Sequence, residues 1–92
     1  EDMIINLSRI FRKSLNWSGE IIKLSEEIEF TTCYLEIQKS RFADKVNYFI
    51  DIPLEFMSCS IPKLTIQPLV ENSIKHGLEN KWNSGCVKVS AY

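Results

Sequence analysis

Ile66-Gln67-Pro68-Leu69-Val70-Glu71-Asn72-Ser73-Ile74-Lys75-His76-Gly77 is the stretch in which a helical apolar pattern and a cluster of ligand-bearing side chains coincide. At about 100° per residue, Ile66, Leu69, Val70, Ser73, Ile74 and Gly77 fall on one side, the side expected to be buried. Asn72, Lys75, His76 and Glu79 gather on the other. Asn72 and His76 are four apart and therefore neighbours on the helix surface. An asparagine amide oxygen is a hard, neutral ligand of the kind Mg²⁺ takes, and Lys75 and His76 suit phosphate oxygens. By residue type alone such a face is more often ordinary solvated surface.

Working outward, the pattern predicts a helix from about Lys63 to His76, with Gly77 as its C-terminal cap. Pro68 fits if the helix begins near Thr65, because a proline in the first turn costs no intrahelical bond. On one side lies Val46–Ile52, rich in β-formers and ended by Pro53. On the other, Cys86–Tyr92 alternates, and both read as strands. Leu54–Ser60 is a loop closed by Ile61-Pro62, and Asn80–Gly85 is a polar loop. The second half is thus β-α-β.

Upstream, Ser25–Phe42 is the strongest helix, with Ser25 expected as N-cap and Glu26 and Glu27 in the first turn, where the helix dipole favours negative charge. Leu24, Ile28, Leu35 and Phe42 line one face, while Phe30, Tyr34 and Ile37 lie nearly opposite. A helix apolar on two sides needs two partners. Met3 to about Trp17, free of Gly and Pro, is expected to form a first helix with the stripe Ile4, Leu7, Phe11, Leu15 and a second set, Met3, Ile10, Trp17. Asn16–Gly19 ends it, and Glu20–Leu24 is a short extended link. A second copy of the chain supplies the remaining partner, giving a four-helix bundle with two helices from each subunit. The alternative is a monomer in which one face packs on the α/β segment. The expected class is α+β: a helical hairpin, half of a dimeric bundle, over residues 1–43, then an incomplete β-α-β portion of a two-layer α/β sandwich over 44–92. Two strands and one helix leave exposed edges and one apolar face uncovered.

Composition narrows the partners. The 92 residues carry 45% apolar and 25% charged residues and a net charge of −1, ordinary for a globular chain. The eleven Lys and Arg are scattered, so there is no electrostatic footprint for nucleic acid or an anionic membrane. No apolar run approaches the roughly 18 residues of a membrane span, and no signal peptide opens the chain. Cys33, Cys59 and Cys86 are odd in number and far apart, which favours reduced thiols over a disulfide framework. Together with His76 they lack zinc-ligand spacing.

Gln67 to Gly77 closely resembles the N box of the LytS-like (autolysin-regulator type) sensor histidine kinases, which share the Bergerat ATP-binding fold with gyrase and Hsp90. Tyr34-Leu35-Glu36-Ile37-Gln38-Lys39-Ser40-Arg41-Phe42 resembles the end of that family's second dimerisation helix, and Leu24-Ser25-Glu26-Glu27-Ile28 its start. The resemblance covers the whole chain and is loosest in the first helix. It implies a homodimeric two-component kinase that uses Mg-ATP to phosphorylate its own histidine and passes the phosphoryl group to a response-regulator aspartate. It also implies the cytoplasmic portion of a bacterial inner-membrane protein, with no direct membrane contact by these residues. Residues 1–43 would be dimerisation helices and 44–92 the N-terminal part of the ATP-binding domain. Carried over by position, Asn72 is the Mg²⁺ ligand, Lys75 and His76 line the phosphates, and Glu71 stands beside the nucleotide or serves structure. Hydrolytic relatives carry a glutamate four residues before the asparagine; here that position is Pro68, which suits a phosphotransferase.

Two of the family's features are not found here. Its phospho-accepting histidine lies in a Pro-His-Phe context, whereas the one histidine is His76. Gly19, Gly77 and Gly85 form no Gly-rich phosphate loop. The 92 residues alone are therefore expected neither to autophosphorylate nor to bind ATP tightly. Rival readings are a structural dimerisation module, favoured if the parent gene ended near Tyr92, and a non-kinase ATPase, favoured if no Pro-His-Phe preceded Glu1.

Overall fold

The computed structural model describes residues 2–7, 19–79 and 85–91. Strand β1 (Asp2–Asn6) opens the chain. A short β2 (Ile21–Lys23) leads directly into α1 (Leu24–Phe42), a 3-10 turn (Ala43–Lys45) and β3 (Val46–Asp51). A second 3-10 turn (Leu54–Phe56) precedes β4 (Ser60–Pro62), α2 (Ile66–Glu79) and β5 (Gly85–Ser90). Among the described residues the class is mixed α/β, with two helices beside a parallel sheet.

The larger sheet has order β1-β5-β3, with both neighbours parallel to the central β5. Val87 and Val89 of β5 are buried, and their register partners Met3, Ile5, Tyr48 and Ile50 share their face. This face meets the helices. The other face stays open, with Ile4 and Phe49 (68% and 60% exposed) flanking Lys88 in register. A two-stranded antiparallel ribbon, β2-β4, pairs Ile22 with Ile61.

The expected first helix does not begin at Met3, because Asp2–Asn6 is a strand. Met3-Ile4-Ile5 is apolar and β-branched, and β5 offers it an otherwise bare edge of hydrogen-bonding groups. The ladder is extended past β1 by the Leu7 amide, which donates to the Ser90 carbonyl at 2.8 Å. The remainder of that expected helix, residues 8–17, lies outside the described residues, as do residues 80–84 of the expected polar loop 80–85 and Tyr92. The expected extended link Glu20–Leu24 is a strand only over Ile21–Lys23, since Leu24 already belongs to the helix, and its partner β4 occupies the end of what reads in sequence as a loop.

Helix α1 starts at Leu24, not at a Ser25 cap. Lys23 is its N-cap and gives no side-chain bond. Its first amides are taken instead by the loop before β4: Leu24 N–H donates to Cys59 O at 2.8 Å and Ser25 N–H to Met57 O at 3.0 Å. Backbone acceptors already satisfy these groups, so a capping hydroxyl is unnecessary. The helix buries Leu24, Glu27, Thr31 and Leu35 at helical spacing. One face of α1 is thus covered by the chain's own α/β half, against α2, β3 and β4. The opposite face, with Phe30 (50%) and Ile37 (58%) exposed, points outward.

Helix α2 begins at Ile66, which places Pro68 in its first turn as expected. It runs two residues past Gly77, so that glycine is not the cap. No glycine has positive φ; Gly77 sits on the buried face with Ile66, Val70, Ser73 and Ile74, where the lack of a Cβ lets the backbone pack closely. Ser73 satisfies its buried hydroxyl within the helix, donating to Leu69 O at 2.9 Å. Leu69 itself is 41% exposed rather than buried. It lies only about 60° around the helix from Asn72 and therefore at the rim of the apolar arc.

Candidate functional site

The outer face of α2 carries Glu71, Asn72, Lys75, His76 and Glu79, all exposed. By helical geometry they span an arc of about 140°, in the order Glu71, Lys75, Glu79, Asn72, His76. The structure thus brings the four expected site residues to one surface of one helix. They differ in their surroundings. Gln67 Nε2 donates to Glu71 Oε1 at 3.2 Å, one turn along. Glu71 also borders α1: the Tyr34 hydroxyl is raised above the ordinary tyrosine pKa of 10.0, first by burial and then by the Glu71 carboxylate, with Arg41 opposing. Glu71 therefore stands at the α1–α2 seam. Asn72 and His76 lie further round, away from it.

Among the described residues no group of three or more His, Cys, Asp or Glu side chains could hold a metal by itself. The donor set on α2 fits a different arrangement. Mg²⁺ keeps several waters and is commonly held by one or two protein oxygens together with substrate phosphates. A single amide oxygen flanked by a lysine and a histidine suits that role. The three cysteines are free thiols. Among the described residues no helix is long and apolar enough to cross a membrane.

Sequence reading missed one residue of consequence. Glu27, placed in its own helix's dipole field, is fully buried and turned toward α2. Its Oε1 accepts the Leu64 N–H at 3.1 Å. Its Oε2 accepts Ile66 N–H at 2.9 Å and Gln67 N–H at 3.3 Å. The signal was available in the spacing of Glu27, Thr31 and Leu35, four apart on one face, but a glutamate is expected outside by type. A second link between the halves joins Tyr48 of β3 to α1, its hydroxyl donating to Glu36 Oε2 at 2.6 Å.

With that geometry in place, comparison with known proteins gives one answer. A histidine kinase family model matches residues 1–46, half of the chain. The chain belongs to the histidine kinase family. Within the family it is of the LytS-like sensor type. It is 42% identical over 85 residues to the sensor histidine kinase BtsS of Escherichia coli K12, covering 92% of this chain and 15% of that protein. It is 34% identical over 89 residues to the sensor histidine kinase YesM of Bacillus subtilis, covering 97% and 15%. It is 35% identical over 89 residues to the sensor protein LytS of Oceanobacillus iheyensis, covering 96% and 15%. The chain spans about 15% of the length of these relatives.

Proposed function

We propose that this chain is part of a two-component sensor histidine kinase and presents the magnesium-facing helix of its ATP site. The γ-phosphoryl group of ATP passes to an imidazole nitrogen outside these 92 residues, ADP leaves, and the phosphoryl group then moves to a carboxylate of a response regulator. Asn72 offers its amide oxygen to Mg²⁺. Lys75 and His76 face phosphate oxygens, and the ion supplies charge neutralisation as phosphoryl transfer requires. Glu71, held by Gln67 at the seam with α1, orders the helix beside the nucleotide. The outward face of α1, with Phe30 and Ile37, serves a homodimer contact within residues 1–43, and 44–92 begin the ATP-binding domain.

The observation that supports this most is the segregation on α2. A buried arc of Ile66, Val70, Ser73, Ile74 and Gly77 fixes the helix, and it leaves Asn72, Lys75 and His76 together in solvent. In the intact kinase, Asn72→Asp is expected to impair autophosphorylation with Mg-ATP and leave the dimer unchanged in light scattering. Loss of the dimer with that substitution would make residue 72 a structural element instead.

A further inference from the structure

A carboxylate is seldom fully buried unless its oxygens are satisfied. Those of Glu27 are satisfied by the amides of Leu64, Ile66 and Gln67, at 2.9–3.3 Å. Two of these three belong to the first turn of α2, where amides have no intrahelical acceptor and the helix end is electropositive. The cap of α2 is therefore not supplied by the residues just ahead of it. Thr65, the nearest hydroxyl, donates instead to Pro62 O at 2.6 Å. The capping group arrives from α1, 39 positions earlier in the chain. It also holds the turn before α2, where Leu64 adopts φ 61°, a left-handed conformation that persists only when its surroundings enforce it. Glu27 sits one turn before Thr31 and two before Leu35 on the same buried stripe. The anchor is thus part of the packed body of α1.

We infer that Glu27 is a positioning residue for the nucleotide-facing surface of α2, fixing Asn72 relative to α1 through the helix start. Asn72 lies six residues beyond Ile66, about 9 Å along the axis at 1.5 Å per residue. A helix pinned at its first turn carries that residue with it, so a shift of α1 is delivered to the metal ligand rather than absorbed at a hinge. This inference rests on the reading of Asn72 given above.

The test uses the intact kinase. Glu27→Gln is nearly isosteric but puts an NH₂ group where an oxygen accepted an N–H, so the three-amide arrangement cannot be kept. The expected result is a KM for Mg-ATP raised at least about tenfold, in line with the sensitivity of phosphoryl transfer to small misplacements, with the dimer retained. Because Glu27 acts through Asn72, Glu27→Gln combined with Asn72→Asp should fall little below Asn72→Asp alone. A wild-type KM in Glu27→Gln, or losses that simply multiply in the double variant, would overturn the inference. If Asn72→Asp retains full Mg-ATP use, the functional reading fails instead. Hydrogen exchange on the wild-type kinase covers the case in which Glu27→Gln does not fold. The segment 64–67 should exchange more slowly with Mg-ATP than without, since coupling between the two ends of the lever is reciprocal; no nucleotide effect there rejects the coupling.

Discussion

Thr31 invites a perturbation whose sign is unusual for a core position. Its side chain is fully buried on α1, between Glu27 and Leu35, and among the described residues its hydroxyl oxygen has no hydrogen-bond partner. A buried, unsatisfied hydroxyl costs about 1–3 kcal/mol. Thr31→Val exchanges that hydroxyl for a methyl group of nearly the same shape, adds about 0.8 kcal/mol of apolar burial, and leaves helix propensity almost unchanged. The two contributions together give an expected stabilisation of about 2–4 kcal/mol, with Tm rising by roughly 4–8 °C per kcal/mol for a domain of this size. Thr31→Ser, which keeps the hydroxyl and deletes the methyl, should do the reverse and cost about 1 kcal/mol. Urea unfolding of the chain checks both, through a shifted midpoint at constant slope. If Thr31→Val lowers the midpoint or leaves it fixed, the hydroxyl is satisfied in solution and the reasoning is refuted.

Two further perturbations follow from local geometry. Ala43, just past the end of α1, adopts φ 51° and ψ −125°, a glycine-like conformation costing of order 1–3 kcal/mol for any other residue; Ala43→Gly should stabilise by about 1 kcal/mol after glycine's greater freedom in the unfolded chain is offset, read from the same urea curves. Tyr48 is raised above 10.0 chiefly by its hydrogen bond to Glu36, and Tyr34 chiefly by burial. The fold therefore holds both phenolic protons more tightly than the unfolded chain, so their contribution is complete below about pH 10 and is lost as pH climbs through the folded values. Phenolate absorbance should show two late-titrating tyrosines, one of which vanishes in Tyr48→Phe; normal titration of both would contradict the contacts.

Much of the candidate site was legible because it depends on one helix. The 3.6-residue period alone separates Asn72, Lys75 and His76 from Val70, Ser73 and Ile74, and the neighbouring strands β3 and β5 announce themselves by alternation and β-branching. What could not be read was set by distant partners. Asp2–Asn6 became a strand because β5, more than 75 residues later, had an edge to pair. Ser25 was not needed as a cap because carbonyls of Met57 and Cys59 reached its helix first. Glu27 lies in the first turn of its own helix, as expected, yet its carboxylate also reaches the start of α2, and that contact was unreadable for the same reason. A glutamate in a first turn serves its own dipole by default, and only the folded chain reveals amides of another helix within 3.3 Å. Gly77 misled in the opposite direction, since a glycine near a helix end signals a stop unless the backbone there is pressed against neighbours.

The central position of β5 orders events during synthesis. In the folded sheet β1 and β3 pair with β5 and not with each other, so both await residues 85–90, which leave the ribosome after them. Relative contact order is correspondingly high, and assembly of the sheet is slow compared with formation of α1 and α2. For that interval the nascent chain displays two unpaired strand edges, with Ile4 and Phe49 beside them, and helper proteins that shield such edges have their work set by how quickly one six-residue strand emerges.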